Sequence, residues 1–258
     1  MANGNIGNVG FEDGESNWIV RLGNLRNTIR QEVIARQIAG LARFGMTVLD
    51  VGCGQGTQAV RLASAGCQVT GIDPSDELLE LCSASAASEG LDIELLKGRL
   101  DDLGELVSNR TFDLVCCHGV MMYLHDRVRP LALLGDRVAS DGHLSVTFRN
   151  GHALAMRPGL RGDWDAALSA FGSSEYVNEL GVAAMADRID EIEQALSLAG
   201  LSMSSCYGVR VFNDAISVDT DPPEHGELVK LLDAEEIAGR TEPYKWMASQ
   251  LHVIAQPR

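Results

Sequence analysis

The residues with the most chemical content lie in one run, Asp50-Val51-Gly52-Cys53-Gly54-Gln55-Gly56. Three glycines at alternate positions let a backbone approach a ligand that side chains would keep away. An acidic residue stands two places before the first of them. Seventeen residues after Gly56 comes Asp73, at the end of the apolar run Gln68–Ile72. A carboxylate placed there can accept both hydroxyl hydrogen bonds of a ribose. The dinucleotide fingerprint needs G-x-G-x-x-G and a pyrophosphate at a helix start. The spacing here is G-x-G-x-G, with Asp50 two residues before the first glycine.

The elements that must hold these groups are legible around them. Asn24–Arg43 carries an apolar stripe at helical spacing, and Thr47–Val51 is a β-branched run ending in glycines, as a buried parallel strand requires. Alternation follows: helix Thr57–Ala65, strand Gln68–Ile72, helix Ser75–Glu89, strand Ile93–Lys97, strand Phe112–Cys117, helix Arg127–Ala139 and strand Gly142–Arg149. This order predicts an α/β protein with a doubly wound, mostly parallel, Rossmann-like sheet. Short helices are expected over Trp164–Phe171 and Ala184–Ala199. Two further strands, Leu201–Phe212 and Ser249–Gln256, flank an acidic helix, Glu224–Gly239, read as a solvated face; the last strand should run antiparallel. Residues 1–16, rich in glycine, read as a flexible tail, and 17–258 as a single domain in which 150–200 forms a lid-like substrate segment.

Composition narrows the partners. The 258 residues carry 21 Lys and Arg against 36 Asp and Glu, a net charge of −15. Proteins that live on phosphate contacts normally present a basic surface, so general nucleic-acid binding, DNA included, is disfavoured. The longest apolar run, Phe112–Leu124, is too short to span a bilayer, which predicts no membrane partner. No basic-then-apolar leader pattern opens the chain, so a cytoplasmic location is expected. The six cysteines show no C-x-x-C pair and read as small buried hydrophobes, with no metal site.

The glycine-rich run resembles the first motif of class I S-adenosylmethionine methyltransferases, an acidic residue followed by G-x-G-x-G, with Asp73 in the place of their ribose carboxylate. Phe112-Asp113-Leu114-Val115 resembles their fourth-strand motif, and Asp141-Gly142-His143-Leu144 the turn into their fifth strand. A non-catalytic binding module and a nicotinamide-dependent dehydrogenase are the readings this disfavours. A closer likeness, from about Leu25 to the end, is to the bacterial tRNA 5-carboxymethoxyuridine methyltransferases. It rests on Leu25-Arg26, Cys117-His118-Gly119-Val120, Phe148-Arg149-Asn150-Gly151-His152, Gly208-Val209-Arg210-Val211-Phe212, Asp214, Glu242-Pro243-Tyr244 and His252-Val253.

That resemblance implies S-adenosylmethionine as cofactor. It assigns Arg26 to the cofactor's carboxylate, Gly52, Cys53 and Gly54 with Asp50 to its approach, Asp73 to its ribose and Asp101 and Asp102 to the adenine side. His118 would face the cofactor. The implied acceptor is the carboxylate of a modified tRNA uridine; a small-molecule carboxylate or hydroxyl is the alternative. An ionised carboxylate needs no general base, only a cation to hold it. Arg210 is the first candidate clamp and Arg149 the second, with Asn150 and His152 as positioning groups beyond the fifth strand. Were the acceptor a hydroxyl or amine, His118, His125 or His152 could take its proton. Tyr123 and Trp164 could stack on a planar substrate. The segment Leu160–Leu201 holds Arg161 and Arg188 against Asp163, Asp165, Glu175, Glu179, Asp187, Asp190, Glu191 and Glu193, a composition ill-suited to gripping RNA.

Overall fold

The computed structural model describes residues 23–258. The expected tail, 1–16, and the first six residues of the expected domain lie outside the described residues. Seven strands form one sheet: β1 (Thr47–Val51), β2 (Gln68–Asp73), β3 (Ile93–Lys97), β4 (Phe112–Cys117), β5 (Val138–Arg149), β8 (Leu201–Val209) and β9 (Gln250–Pro257). Their order is β3-β2-β1-β4-β5-β9-β8. The pairings from β3 to β5 are parallel, and β9 runs antiparallel to both β5 and β8. This is the doubly wound sheet that the sequence predicts, with the antiparallel strand in its expected last place.

Alternation along each strand sorts the core onto two faces. Leu49, Val51, Val115, Cys117, Leu144 and Val146 pack on one face. There they meet α5 (Val128–Gly135) through Leu131 and Leu134, and α8 (Ile189–Leu198) through Ile192 and Leu196. Val48, Val69, Leu114 and Cys116 pack on the other face against α1 (Leu25–Ile38) and α2 (Thr57–Ser64). The far end of α1, through Leu25, Ile29 and Val33, packs with Val209 and with Leu232 of α9 (His225–Arg240). α3 (Asp76–Ser88) follows β2, and the short α4 (Leu103–Leu106) precedes β4.

Three differences from the sequence reading bear on the site. The helix expected from Ala184 begins only at Ile189; residues Ala183–Met185 form β7, a hairpin with β6 (Glu175–Val177). Its turn is held by Asn178, whose Oδ1 accepts from Leu180 N at 2.9 Å and Val182 N at 3.0 Å, and by Gly181 at φ +81°. Burial of Val182 and Ala184 against Met122 and Tyr123 outweighs the helix preference of the alanines. Next, α8 packs on β8 and α5, so within 150–200 the part that departs from the sheet layer is 150–187. That part holds α6 (Met156–Leu160), α7 (Trp164–Ala170) and the hairpin. Finally, β8 ends at Val209 rather than Phe212, because Arg210 takes the left-handed conformation, φ +61°. Side chains other than glycine pay for that region, and the surroundings must hold it.

α9 supplies the hold. Glu235, expected on a solvated face, is 1% exposed. Its carboxylate accepts from Val211 N at 2.7 Å, Phe212 N at 2.9 Å and the Asn213 side chain. The acidic helix therefore reaches under the turn that carries Arg210 and Asp214.

Candidate active site

The carboxyl ends of β1, β2 and β4 meet where the strand order reverses, the crevice in which open α/β sheets gather their ligands. A cavity of about 300 Å³ opens there, between those strand ends, α1 and the β6–β7 hairpin.

At one end the glycine turn shapes it. A Cβ on Gly52 would lie 2.4 Å from Val120 Cγ2, and one on Gly56 2.2 Å from Cys82 Sγ; both glycines are at positive φ. Around Gly54, also at positive φ, nothing lies within 4 Å of a built Cβ. Asp73 Oδ2 accepts from Gly54 N at 2.8 Å and Oδ1 from Ser75 N at 3.0 Å. Two amides fix this carboxylate and leave acceptor capacity for the hydroxyls of a ribose. Asp50, buried behind the turn, has its carboxyl pushed up to about 7 by burial and by the nearby charge of Asp73. It is poised to ionise when a cation arrives. Asp101 lines the cavity and pairs with Arg129 at 3.1 Å. Asp102 does not line it; its Oδ2 accepts from Arg99 N at 2.8 Å and so ties its own turn.

The other end is a cluster of guanidinium groups. Arg26, Arg30, Arg149, Arg157 and Arg210 all line the cavity. Four of them converge on Asp214: Arg210 at 2.6 Å, Arg157 at 2.8 Å, Arg26 at 3.2 Å and Arg149 at 3.4 Å. Burial alone would raise the Asp214 carboxyl, but the charges of Arg210, Arg149 and Arg157 hold it well below the usual carboxylate range. Glu179, at the tip of the hairpin, reaches into the same cluster and pairs with Arg26 at 2.6 Å, Arg161 at 2.7 Å and Arg157 at 3.5 Å. The Nε atoms of Arg26, Arg149 and Arg210 are buried and have no hydrogen-bond partner. Arg149 also lies over the Tyr176 ring, 5.4 Å from its centroid, which gives the cavity one aromatic wall. Arg26, Arg149, Arg157, Arg161 and Arg210 against Glu179, Asp214 and the underlying Glu235 leave an excess of positive charge at this end, suited to an anion.

The expected site residues thus divide. Arg26, Asp50, Gly52, Cys53, Gly54, Asp73, Asp101, His118, Arg149 and Arg210 line one cavity. Asn150 and His152 do not. Asn150 is fully buried, and its Nδ2 donates to Trp246 O at 2.9 Å and Ala248 O at 2.8 Å, tying β5 to the loop before β9. His152 is exposed and borders a separate apolar cleft with Trp164 and Phe171. Trp164, on α7, is 69% exposed and stands in that outer cleft, away from the cavity. His125 is exposed, and burial holds His118 neutral, its pKa well below the usual value. Sequence reasoning missed Tyr176, Glu179 and Asp214 as neighbours of the arginines. The signal for Glu235 was available: Leu228, Leu232, Glu235 and Ala238 share one helical stripe, with an acid where an apolar residue is expected.

The sheet and the glycine turn are those of the class I fold, a methyltransferase-domain family profile matches residues 48–135, and the chain is an S-adenosylmethionine-dependent methyltransferase. Among particular proteins, it is similar to the tRNA 5-carboxymethoxyuridine methyltransferase of Escherichia coli K12. The two are 26% identical over 91% of this chain and 88% of that protein. A ubiquinone biosynthesis O-methyltransferase from Actinobacillus pleuropneumoniae is 35% identical over 43% of this chain and 47% of its own. The fold is shared with magnesium protoporphyrin IX methyltransferase from Synechocystis, solved with bound S-adenosylhomocysteine: TM-score 0.59, 16% identity, 96% of this chain and 94% of that one. It is shared also with an S-adenosylmethionine-dependent methyltransferase from Mesorhizobium loti, with TM-score 0.58, 19% identity, and coverage of 88% and 98%. Among the described residues, no helix is long and apolar enough to cross a membrane.

Proposed function

We propose that this enzyme methylates a carboxylate, that of 5-carboxymethoxyuridine at the tRNA wobble position, giving the methyl ester and S-adenosylhomocysteine. The observation that carries the reading is the arginine cluster: Arg26, Arg149, Arg157 and Arg210 line one cavity and converge on Asp214, with Glu179 beside them. The similarity to the Escherichia coli enzyme over nearly the whole chain supports the tRNA acceptor, and the tRNA pool would place the enzyme in the cytoplasm.

In this reading Asp73 holds the ribose, Asp101 lies on the adenine side, and Asp50 ionises beside the cationic cofactor. The donor is a sulfonium, already activated, so catalysis is positioning for an in-line displacement. The acceptor is ionised at neutral pH and no proton has to be removed. Arg210 and Arg149 grip one carboxylate oxygen and orient the other toward the methyl group. Arg210 suits this role because it lines the cavity and stays charged at neutral pH, although burial and the neighbouring arginines push its pKa down to about 9. Before the acceptor arrives, Glu179 satisfies part of the same cluster.

A second reading, a small-molecule carboxylate as acceptor, is favoured by the net charge of −15 and by the eight acidic residues between Leu160 and Leu201. The test is transfer of labelled methyl from S-adenosylmethionine to tRNA from cells lacking the methyl ester. Labelling at the wobble nucleoside, reduced at least tenfold in kcat/KM by Arg210→Ala with cofactor binding retained, is expected from the loss of a charged hydrogen bond. No transfer to any tRNA, with transfer to a small carboxylate, selects the second reading.

A further inference from the structure

One chain of buried polar groups runs from α1 through the sheet to the cavity and is not used by the reading above. Gln37 on α1 donates from Nε2 to Gly208 O at 3.2 Å, which fixes its amide: turned over, two carbonyl oxygens would face each other. Gln37 Oε1 therefore faces His252 Nδ1 at 2.6 Å, and as a carbonyl it can only accept. His252 is fully buried with no carboxylate at hand, and burial pushes its pKa down to about 3, so it is neutral. With its proton on Nδ1, its Nε2 is a bare acceptor. Ser145 Oγ, 2.7 Å away and 0% exposed, must give its one proton to that nitrogen. The Ser145 oxygen is left to accept, and its other neighbours are His118 Nε2 at 2.8 Å and the Cys116 thiol, a weak donor that can share the same oxygen. His118 Nε2 thus carries a proton. Its ring is neutral, so Nδ1 carries none. That nitrogen is buried and has no partner, and His118 lines the cavity.

We propose that Gln37, His252 and Ser145 form a hydrogen-bond relay that locks His118 in its Nε2–H tautomer and presents Nδ1 as an acceptor to the ammonium group of the bound cofactor. Gln37, His252 and Ser145 are positioning residues in this scheme; His118 makes the contact. The donor is assigned by elimination, and this step rests on the functional reading above. An ionised carboxylate acceptor offers no proton, while the ribose hydroxyls and the adenine belong to Asp73 and to the Asp101 side. The cofactor's remaining donor is its ammonium. A lone pair there holds the amino-acid end of the cofactor; the opposite tautomer would turn an N–H toward a cation.

The experiment is 15N NMR of the full chain labelled in histidine, with His118→Asn and His252→Asn spectra for assignment. In the free enzyme at neutral pH, His118 is expected to show a protonated Nε2 and an unprotonated Nδ1, and His252 the reverse. S-adenosylhomocysteine, which carries the ammonium, should shift His118 Nδ1; 5′-methylthioadenosine, which lacks the amino-acid part, should not. Ser145→Ala should mix the His118 tautomers, leave His252 Nδ1 protonated, and raise the KM for S-adenosylmethionine about two- to tenfold with kcat little changed. The same tautomer at both histidines, an imidazolium signal at either, or an equal response to methylthioadenosine would overturn the proposal. No methyl acceptor enters the NMR measurement, so failure of carboxylate methylation would show separately, as absence of transfer.

Discussion

Replacing Asp214 by Asn tests the arginine cluster most directly. The substitution keeps the shape of the side chain and removes one charge. It leaves Arg26, Arg149, Arg157 and Arg210, each within 3.4 Å of that carboxylate, with Glu179 and Glu235 as the remaining nearby acidic groups. Removing one partner of a buried ion pair typically costs about 3–5 kcal/mol, because the charge left behind keeps its desolvation penalty. Against a total stability of about 5–15 kcal/mol this is a large fraction. At roughly 2–4 °C per kcal/mol for a chain of this size, the melting temperature should fall by about 6–20 °C. Thermal and urea unfolding of the ligand-free protein at pH 7 measure it. The pH dependence has a fixed sign. The Asp214 carboxyl is held below its unfolded value, so its contribution is full above about pH 4 and is lost as pH falls through the folded value. The gap between wild type and variant should therefore stay constant from pH 5 to 8 and close only in stronger acid. A loss under about 1 kcal/mol, the level of an exposed pair, would refute the view that this cluster is buried and strongly coupled.

Asp50 predicts the pH dependence of cofactor binding. With its carboxyl at about 7 in the free protein, binding a cation there should release a proton, so affinity for S-adenosylmethionine rises up to tenfold per unit below pH 7 and flattens above. Calorimetry between pH 6 and 8.5 reads this; a flat wild-type profile, or a sloped one in Asp50→Asn, contradicts it. The glycine turn separates two costs. Gly54→Ala, with open space around its Cβ but φ at +55°, should lose about 1–2 kcal/mol of stability and a larger share of cofactor affinity. Gly56→Ala, whose Cβ would lie 2.2 Å from Cys82 Sγ, should lose more stability than Gly54→Ala, as compared by urea denaturation.

The sequence by itself determined the sheet and the cofactor end of the cavity, because their signals are local. Val48–Val51 is a buried strand by composition, Gly52, Gly54 and Gly56 mark a turn that tolerates no side chain in two places, and Asp73 ends the next strand within a few residues of where it is needed. The crossover rule then fixes the hand of each parallel connection. The arginine end was decided by tertiary structure. Arg26 and Asp214 meet across 188 residues of sequence, and Arg149 and Asp214 across 65. Nothing periodic or local in the sequence links them. Their convergence depends on the left-handed turn at Arg210, on Glu235 reaching under that turn, and on a hairpin whose tip delivers Glu179. For the same reason Asn150 and His152, adjacent to a strand end and plausible by position, proved to face elsewhere: the direction of the chain after β5 is set by its hydrogen bonds to Trp246 and Ala248, far away in sequence. The charge of −15 shows the division most plainly. It is fixed by composition, but only folding gathers six arginines at one cavity inside an acidic protein.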